Sequence, residues 1–366
     1  MSEKQVTMIF PRNRLRITFA YDQKTGEGGS DMENVNLKQL AKELNLSAST
    51  VSRALRGSHE ISQETKDRVK ALAQSLGFQP NPHASSLRQS KSKTIAVILP
   101  EIENNFFSKV MNGVEDVAQK KGYHVLIYLS HEDHVRESDI LQVLRNGRVD
   151  GIMISVSNTT TQFEHLQGIA DSGLPLVFFD RIAEGIAAPN VTTDDAEAAA
   201  KATELLLAKG CRQIAFLSMS DRLSISSRRK EGYLQALEKN GMTQNARLLA
   251  CSHNDEENRQ LIRELLLGPD RPDAIFTAVE KLAINTYEVC RELQLKIPQQ
   301  LKVISFSNLA ATALFDPPLS TIVQPAYEIG NEAATVLFKL VEKKVLLPKE
   351  KKAIFPSVIV ERQSTA

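Results

Sequence analysis

The sequence from Asn36 to Leu55 reads NLKQLAKELNLSASTVSRAL, and this stretch decides the fold of the N-terminal part of the chain. Its first half places apolar residues on one helical face, at Leu37, Leu40, Ala41 and Leu44. A second helix is predicted to begin after Ser47, whose hydroxyl can cap the first amides of that helix. Only Asn45–Leu46 remain for the turn, and asparagine tolerates the left-handed backbone that so tight a turn requires.

A third amphipathic helix is predicted after Ser62, with its end at Gly77. Three short helices with a tight turn are typical of a helix-turn-helix DNA-binding module. Residues 35–93 contain ten Lys or Arg against four Asp or Glu, a net charge of +6, whereas residues 94–366 have a net charge of −5. A basic module attached to a mildly acidic body predicts that a polyanion binds the first part only.

The motif Ser-x-x-Thr-Val-Ser-Arg, from Ser47 to Arg53, resembles the helix-turn-helix of the LacI/GalR family of transcriptional regulators. That family usually has Ala-Gly in the turn, where this chain has Leu44–Asn45. The resemblance extends over residues 35–366 and includes Phe78–Pro82, Ile95–Pro100, Asn104–Phe107, Arg148–Gly151, Asp180–Arg181, Arg229–Tyr233, Arg271–Ile275 and Pro317–Ile322. It implies a regulator, most typically a repressor, that binds operator DNA and responds to a small-molecule effector, a sugar or a related metabolite.

The start of the second helix is expected to enter the major groove of double-stranded operator DNA. The residues predicted to contact DNA there are Ser47, Ala48, Ser49, Thr50, Ser52 and Arg53. Arg53 can donate two hydrogen bonds to a guanine, and Ala48 offers an apolar contact, for example to a thymine methyl. Thr50 and Ser52 are better suited to phosphates, which position the protein without specifying sequence.

Residues 81–88 resemble the hinge helix of the family, which inserts a leucine from each subunit into the minor groove. The corresponding residues here are Asn81, Ala84, Ser85, Leu87 and Arg88. An apolar side chain suits this role because it can wedge between base steps and kink the duplex. Leu87→Ala is therefore predicted to weaken operator binding while effector binding is unchanged.

From Thr94 onward predicted strands alternate with predicted helices, beginning with the apolar run Ile95–Leu99 that a buried parallel strand requires. The predicted fold class is α/β: an all-α helix-turn-helix followed by two doubly wound α/β subdomains of the periplasmic-binding-protein type. The predicted domains are a helix-turn-helix at 35–80, a hinge helix and linker at 81–93, and an effector-binding and dimerisation domain at 94–366. In the last, the N-subdomain comprises about 94–191 and 325–352, and the C-subdomain about 192–324 and 353–366.

Residues 1–34 differ from the rest, with a flexible polar run at Gln23–Ser30 just before the first helical pattern. We expect this segment to be a disordered or non-native extension, with Met32 as the natural start.

The resemblance places the effector site in the cleft, at Asn104, Phe106, Phe107, Asp180, Arg181, Arg229, Val279 and Ser307. The guanidinium of Arg229 suits sugar hydroxyl pairs, carboxylates and phosphates equally well. Relatives commonly have Ala-Asn-Asp where this chain has Ala278–Glu280, and Gly-Phe/Tyr-Asp-Asp/Asn where it has Ser305–Asn308. Val279 thus lacks an amide, and Ser307 a carboxylate, that often bind sugar hydroxyls.

Two alternatives stay open on these residues: a DNA-binding regulator controlled by a protein corepressor, and a sugar-binding sensor that does not bind DNA. No phosphate-binding glycine loop, nucleophile elbow or zinc-protease motif is present, so we expect neither an enzyme nor a cofactor. Three scattered cysteines, the lack of a signal-peptide core and the lack of a long apolar run favour a cytoplasmic protein without a membrane segment. We expect a homodimer on a palindromic operator.

Overall fold

A computed structural model of the chain describes residues 5–9, 16–20, 37–55, 57–78, 91–219 and 224–366. The chain forms two compact units, residues 1–84 and residues 85–366.

The first unit contains a two-stranded hairpin near the N-terminus. Strand β1 (Gln5–Ile9) pairs antiparallel with β2 (Arg16–Ala20), so that Thr7 lies opposite Thr18. The expectation that residues 1–34 are a disordered or non-native extension stays a prediction, because most of that range lies outside the described residues. The expectation that Met32 is the natural start stays a prediction.

Three helices of the first unit match the predicted helix-turn-helix: α1 (Leu37–Glu43), α2 (Ala48–Leu55) and α3 (Gln63–Ser75). They enclose a small core of Leu40, Ala41, Val51, Ala54, Val69 and Ala73. The turn between α1 and α2 has Asn45 in the left-handed region with φ 54°, as the sequence predicts. Helix α3 is capped by Ser62, whose Oγ accepts from Thr65 N at 3.3 Å, and the chain leaves it at Gly77 with φ 62°.

The second unit begins with the N-subdomain, in which strands and helices alternate. Its elements are β3 (Thr94–Leu99), α4 (Asn105–Lys121), β4 (His124–Leu129), α5 (His134–Leu144), β5 (Ile152–Ile154), α6 (Glu164–Asp171), β6 (Leu176–Phe179) and β7 (Asn190–Thr193). Strands β3, β5 and β6 are buried along nearly their whole length, as parallel strands covered on both faces must be.

The C-subdomain repeats this alternation. Its elements are α7 (Asp195–Ala208), β8 (Ile214–Ser218), α8 (Ser224–Lys239), β9 (Arg247–Ala250), α9 (Asp255–Leu267), β10 (Ala274–Thr277), α10 (Glu280–Glu292), β11 (Lys302–Phe306) and β12 (Ser320–Val323). The sequence pattern alone predicts neither β7 nor β12 as a strand.

The last segment returns to both subdomains through α11 (Ala326–Val341), α12 (Pro348–Lys351), β13 (Lys352–Phe355) and β14 (Val358–Val360). The N-subdomain sheet has the order β13-β7-β6-β5-β3-β4, and all its strands are parallel. The C-subdomain sheet has the order β14-β12-β11-β10-β8-β9, with only β14 antiparallel. The sequence pattern alone predicts one strand over residues 354–359, and this prediction is wrong. Pro356, which cannot donate to a ladder, lies between two strands that join different sheets.

Helices α4 and α11 approach so closely that glycine is required where they cross. A Cβ atom on Gly330 would lie 2.0 Å from Val110 O, and one on Gly113 would lie 2.1 Å from Tyr327 O. This contact fixes α11 in the N-subdomain core, and its N-terminal end lies at the crossover between the subdomains.

Candidate functional site

The N-terminus of α2 is organised by one hydroxyl. Ser47 Oγ accepts from Thr50 N at 3.1 Å and lies 2.7 Å from Ser49 Oγ and 2.8 Å from Thr50 Oγ1. Ser49 is exposed, whereas Ala48 is half-buried and packs against the core of the three helices. Ser49 is therefore better placed than Ala48 to contact a base edge.

Arg53 follows one turn later and forms an ion pair on the surface. Its Nη1 lies 3.1 Å from Glu60 Oε2, and both side chains are about half exposed, at 53% and 54%. Glu60 stands in the loop between α2 and α3, where Ile61 N donates to Ser58 O at 3.3 Å. The guanidinium predicted to read guanine is thus paired with a carboxylate in the protein alone.

The residues predicted for the minor groove, Asn81, Ala84, Ser85, Leu87 and Arg88, lie outside the described residues. Their contacts with DNA stay a prediction.

All eight residues predicted for the effector site line one cavity between the two subdomains: Asn104, Phe106, Phe107, Asp180, Arg181, Arg229, Val279 and Ser307. The space between its walls, counted together with the open solvent at its mouth, amounts to about 410 Å³. The N-subdomain residues follow the carboxyl ends of β3 and β6, and Val279 and Ser307 follow those of β10 and β11. Ligands of open α/β sheets bind at this edge.

Arg229 lies deep in the wall of the cavity and is 3% exposed. Its Nε donates to Asp195 Oδ1 at 2.7 Å, its Nη1 donates to Ala278 O at 2.6 Å, and its guanidinium lies 3.8 Å above the Phe306 ring. Because a carboxylate and an aromatic face already hold it, Arg229 can present its remaining donors in a fixed orientation. Because Arg229 is already paired with Asp195, it attracts an anionic ligand such as a phosphate less than an unpaired arginine would.

Asp180 and Arg181 form the opposite wall. Arg181 Nη1 donates to both carboxylate oxygens of Glu132, at 2.8 and 2.9 Å, and its Nε lies 3.8 Å from Asp180 Oδ2. Burial raises the pKa of the Asp180 carboxyl to about 6, although Arg181 and Arg229 oppose the shift. Asp180 has φ 58°, a backbone conformation that aspartate tolerates better than most residues.

The two departures from the family pattern meet in the cavity. Ser307 Oγ donates to Glu280 Oε2 at 2.6 Å and accepts from Leu309 N at 3.1 Å. The Ser307 hydroxyl thus binds the carboxylate of Glu280, which stands at the start of α10 where relatives commonly have the Asp of Ala-Asn-Asp. Val279, by contrast, contributes only apolar surface to the wall.

The prediction missed five further lining residues: Ile225, Glu280, Phe306, Asn308 and Gln324. Three of them neighbour predicted residues in sequence, so the spacing of the motifs would have found them. Gln324 sits at the crossover after β12, and its Nε2 donates to Thr193 Oγ1 at 3.2 Å. No local pattern around Gln324 or Ile225 indicates that either residue reaches the cavity.

Several hydrogen bonds cross the cleft beside the cavity. Lys109 Nζ of α4 donates to Asn308 O at 3.0 Å, and Ile182 N donates to Ser224 Oγ at 3.2 Å. Asn158 Nδ2 lies 3.2 Å from His253 Nε2. These contacts join the two subdomains, so a ligand that moves one subdomain relative to the other must alter them.

Comparisons with known proteins agree with this architecture. The family profile described as bacterial regulatory proteins, lacI family, matches residues 36–81. The profile described as periplasmic binding proteins and sugar binding domain of LacI family matches residues 92–357. The chain belongs to the LacI family. LacI-family proteins are DNA-binding transcriptional regulators with a sugar-binding effector domain and are not enzymes, and this LacI-family chain contains both parts.

Similar LacI-family proteins align over nearly their whole length. Catabolite control protein A of Priestia megaterium is 29% identical, over 86% of this chain and 94% of that protein. The transcriptional repressor CytR of Escherichia coli K12 is 30% identical, over 82% of this chain and 88% of that protein. The structure of a LacI family regulator from Enterococcus faecium with bound ribose has 26% identity and a TM-score of 0.64, over 75% of this chain and 98% of that one.

In the described part of the LacI-family chain, no helix is long and apolar enough to cross a membrane. Nor do the described His, Cys, Asp and Glu side chains form a group of three that could bind a metal.

Proposed function

We propose that this LacI-family regulator is a cytoplasmic homodimer that binds a palindromic operator and responds to a small, uncharged, hydroxyl-rich effector. The observation that supports it best is the convergence of all eight predicted effector residues on one cavity. The exposed N-terminus of α2 supports the DNA-binding half, with Ser49 and Arg53 in the major groove and Leu87 in the minor groove.

The lining of the cavity favours a sugar or a nucleoside. Phe106, Phe107 and Phe306 give the lining apolar surface, with the Arg229 guanidinium over one face of Phe306, while Asp180, Arg229 and the Glu280–Ser307 pair offer hydrogen-bonding groups. Sugars need both, because their rings have an apolar face and a rim of hydroxyls. The ribose bound to the Enterococcus faecium regulator is a ligand of this kind.

Among the residues that the structure describes, each cation in the lining is paired with a carboxylate of the protein. Arg181 is bound by Glu132, and Arg229 is bound by Asp195. Asp180 and Glu280 add further negative charge, so an anionic ligand would meet repulsion that a neutral one avoids. We therefore favour uncharged effectors over sugar phosphates.

A thermal-shift screen of neutral sugars and nucleosides, each beside its phosphorylated form, tests this function. We expect a neutral compound to raise the melting temperature, and Glu280→Gln to reduce that increase. Glu288→Gln, which changes an acid of α10 paired with Arg259 outside the cavity, is the matched control and should not affect it.

A response to none of these compounds would contradict small-molecule control and would favour the protein corepressor. A response that is equal in both variants would place the effector outside this cavity. A response to the phosphorylated forms alone would contradict the preference for uncharged effectors.

A further inference from the structure

One end of the N-subdomain is strongly basic. All six strands of its sheet are parallel and therefore begin at the same edge, on the side away from the cavity. We call this end the linker-side face, and it consists of residues 91–94, 120–124, 145–151, 171–175 and 342–352. It contains eleven Lys or Arg against four Asp or Glu, a net charge of +7, whereas the rest of residues 91–366 has a net charge of −10.

The basic residues of the linker-side face are exposed, and Lys93 places its Nζ 4.5 Å from the centre of the Tyr123 ring. All eleven are exposed: Lys91, Lys93, Lys120, Lys121, Arg145, Arg148, Lys343, Lys344, Lys349, Lys351 and Lys352. A cluster of positive charge of this size on a mildly acidic domain produces a local positive potential that attracts polyanions.

The acids of this face bind groups of their own subdomain. Glu350 is buried, accepts from Leu347 N at 2.9 Å and pairs with Lys339. Glu342 binds both Lys121 and Lys344 at 2.6 Å. The Glu342 carboxylate is thus shared by two lysines, and most of the positive charge of the face is not neutralised by an acid of the same face.

The chain from the DNA-binding unit enters the second unit at this face. The Asp150 carboxylate accepts from Ser92 N at 2.6 Å, from Ser92 Oγ at 2.9 Å and from Lys93 N at 3.1 Å. From Phe78, which packs on the core of the helix-turn-helix, to Lys91 the backbone spans at most about 45 Å when fully extended. DNA held by α2 is therefore kept within reach of the basic face.

We propose that the linker-side face binds the phosphates of the duplex that flanks the site read by α2. This inference rests on the proposed function, since it needs the helix-turn-helix to bind DNA. Exposed lysines without a groove-fitting element suit phosphate contacts, which add affinity without sequence information. An acidic protein would also match the charge, but the tether to a DNA-binding unit gives DNA the higher effective concentration.

The test compares two duplexes, both containing a site selected from random DNA by the full-length protein. The short duplex ends at the selected site, and the long duplex extends it by about one helical turn, about 10 base pairs, of unrelated sequence on each side. The variant is Lys343→Gln/Lys349→Gln/Lys351→Gln. The matched control is Lys201→Gln/Lys209→Gln/Lys239→Gln. It removes three lysines of the C-subdomain: Lys201 in α7, Lys209 directly after α7 and Lys239 at the end of α8.

We expect the wild type to bind the long duplex more tightly than the short one, and the face variant to lose that advantage while it binds the short duplex normally. The slope of log affinity against log salt on the long duplex should fall by up to about 0.9 for each lost phosphate contact. The control variant should behave as the wild type does.

Equal wild-type affinity for both duplexes, or a face variant that keeps the advantage of the long duplex, would overturn this inference alone. Failure of the wild type to select any duplex would instead overturn the proposed DNA-binding function.

Discussion

Arg53 must exchange partners before it can read a base. In the protein alone its guanidinium is paired with Glu60 at 3.1 Å, and an exposed pair of this kind contributes only about 0–1 kcal/mol. A guanine in the correct position can replace Glu60, whereas on unrelated DNA no guanine is aligned with Arg53, and the phosphates that it meets are repelled by Glu60. Glu60 is therefore expected to improve discrimination rather than affinity.

Glu60→Gln should raise affinity for unrelated duplex DNA by several-fold and affinity for the operator by less, because only the non-specific complex keeps the Glu60 carboxylate near Arg53. Titrations of both duplexes at one salt concentration measure the ratio. Asp67→Asn, which makes the same change in net charge on α3, is the control. An equal gain on both duplexes in both variants would show a general charge effect and contradict this role.

The buried Asp180 carboxyl gives stability a pH dependence. Its folded-state pKa is about 6, raised from 3.8 by burial, so the folded state binds the proton more tightly than the unfolded state does. The stability that this proton provides is full below about pH 4 and is lost as the pH rises through about 6.

Asp180→Asn, which also tolerates the left-handed backbone, should therefore melt higher than the wild type at pH 7.5, by roughly 2–4 °C for each kcal/mol gained. The difference should vanish near pH 4. Thermal unfolding without ligand measures it, and a gain that is the same at both pH values would contradict the assignment.

At the scale of elements, the contact between α4 and α11 decides whether the N-subdomain packs. A methyl group on Gly330 would lie 2.0 Å from the backbone oxygen of Val110, and backbone cannot move aside as a side chain can. Gly330→Ala should therefore destabilise the protein by roughly 1–3 kcal/mol or more.

Gly168→Ala is the matched control for Gly330→Ala. Gly168 is also helical, in α6, but a methyl group there would meet no atom within 4 Å. Because alanine favours helix, this change should stabilise by up to about 1 kcal/mol. Denaturant unfolding of both variants checks the opposite signs, and equal effects would show that the crossing tolerates a Cβ.

The elements that the sequence predicts are those with local signals. The turn at Asn45, the cap at Ser62 and the end at Gly77 depend on residue types that favour those local conformations. The division of residues 354–359 between two sheets could not be predicted, because it depends on which sheet edge lies nearby. The pairing of Arg229 with Asp195 joins residues 34 positions apart and needed the folded chain.

At the scale of the whole molecule, charge and ligand chemistry are separated along the chain. The helix-turn-helix and the linker-side face are basic, whereas at the cavity, at the opposite end of the N-subdomain sheet, both described lining arginines, Arg181 and Arg229, are paired with carboxylates. The cross-cleft bonds from Lys109 and Ile182 connect the two subdomains at that cavity. An effector that changes these bonds changes the subdomain to which the DNA-binding unit is tethered.

Ligand binding in the cavity and operator binding by α2 are expected to be coupled within one chain. The direct measurement is the operator Kd of the full-length protein without and with a saturating concentration of the compound found in the thermal-shift screen. We predict a change of about 5–150-fold, the usual range of allosteric coupling, in the wild type and little change in Glu280→Gln at the same compound concentration. An operator Kd that is the same with and without the bound compound would contradict the account.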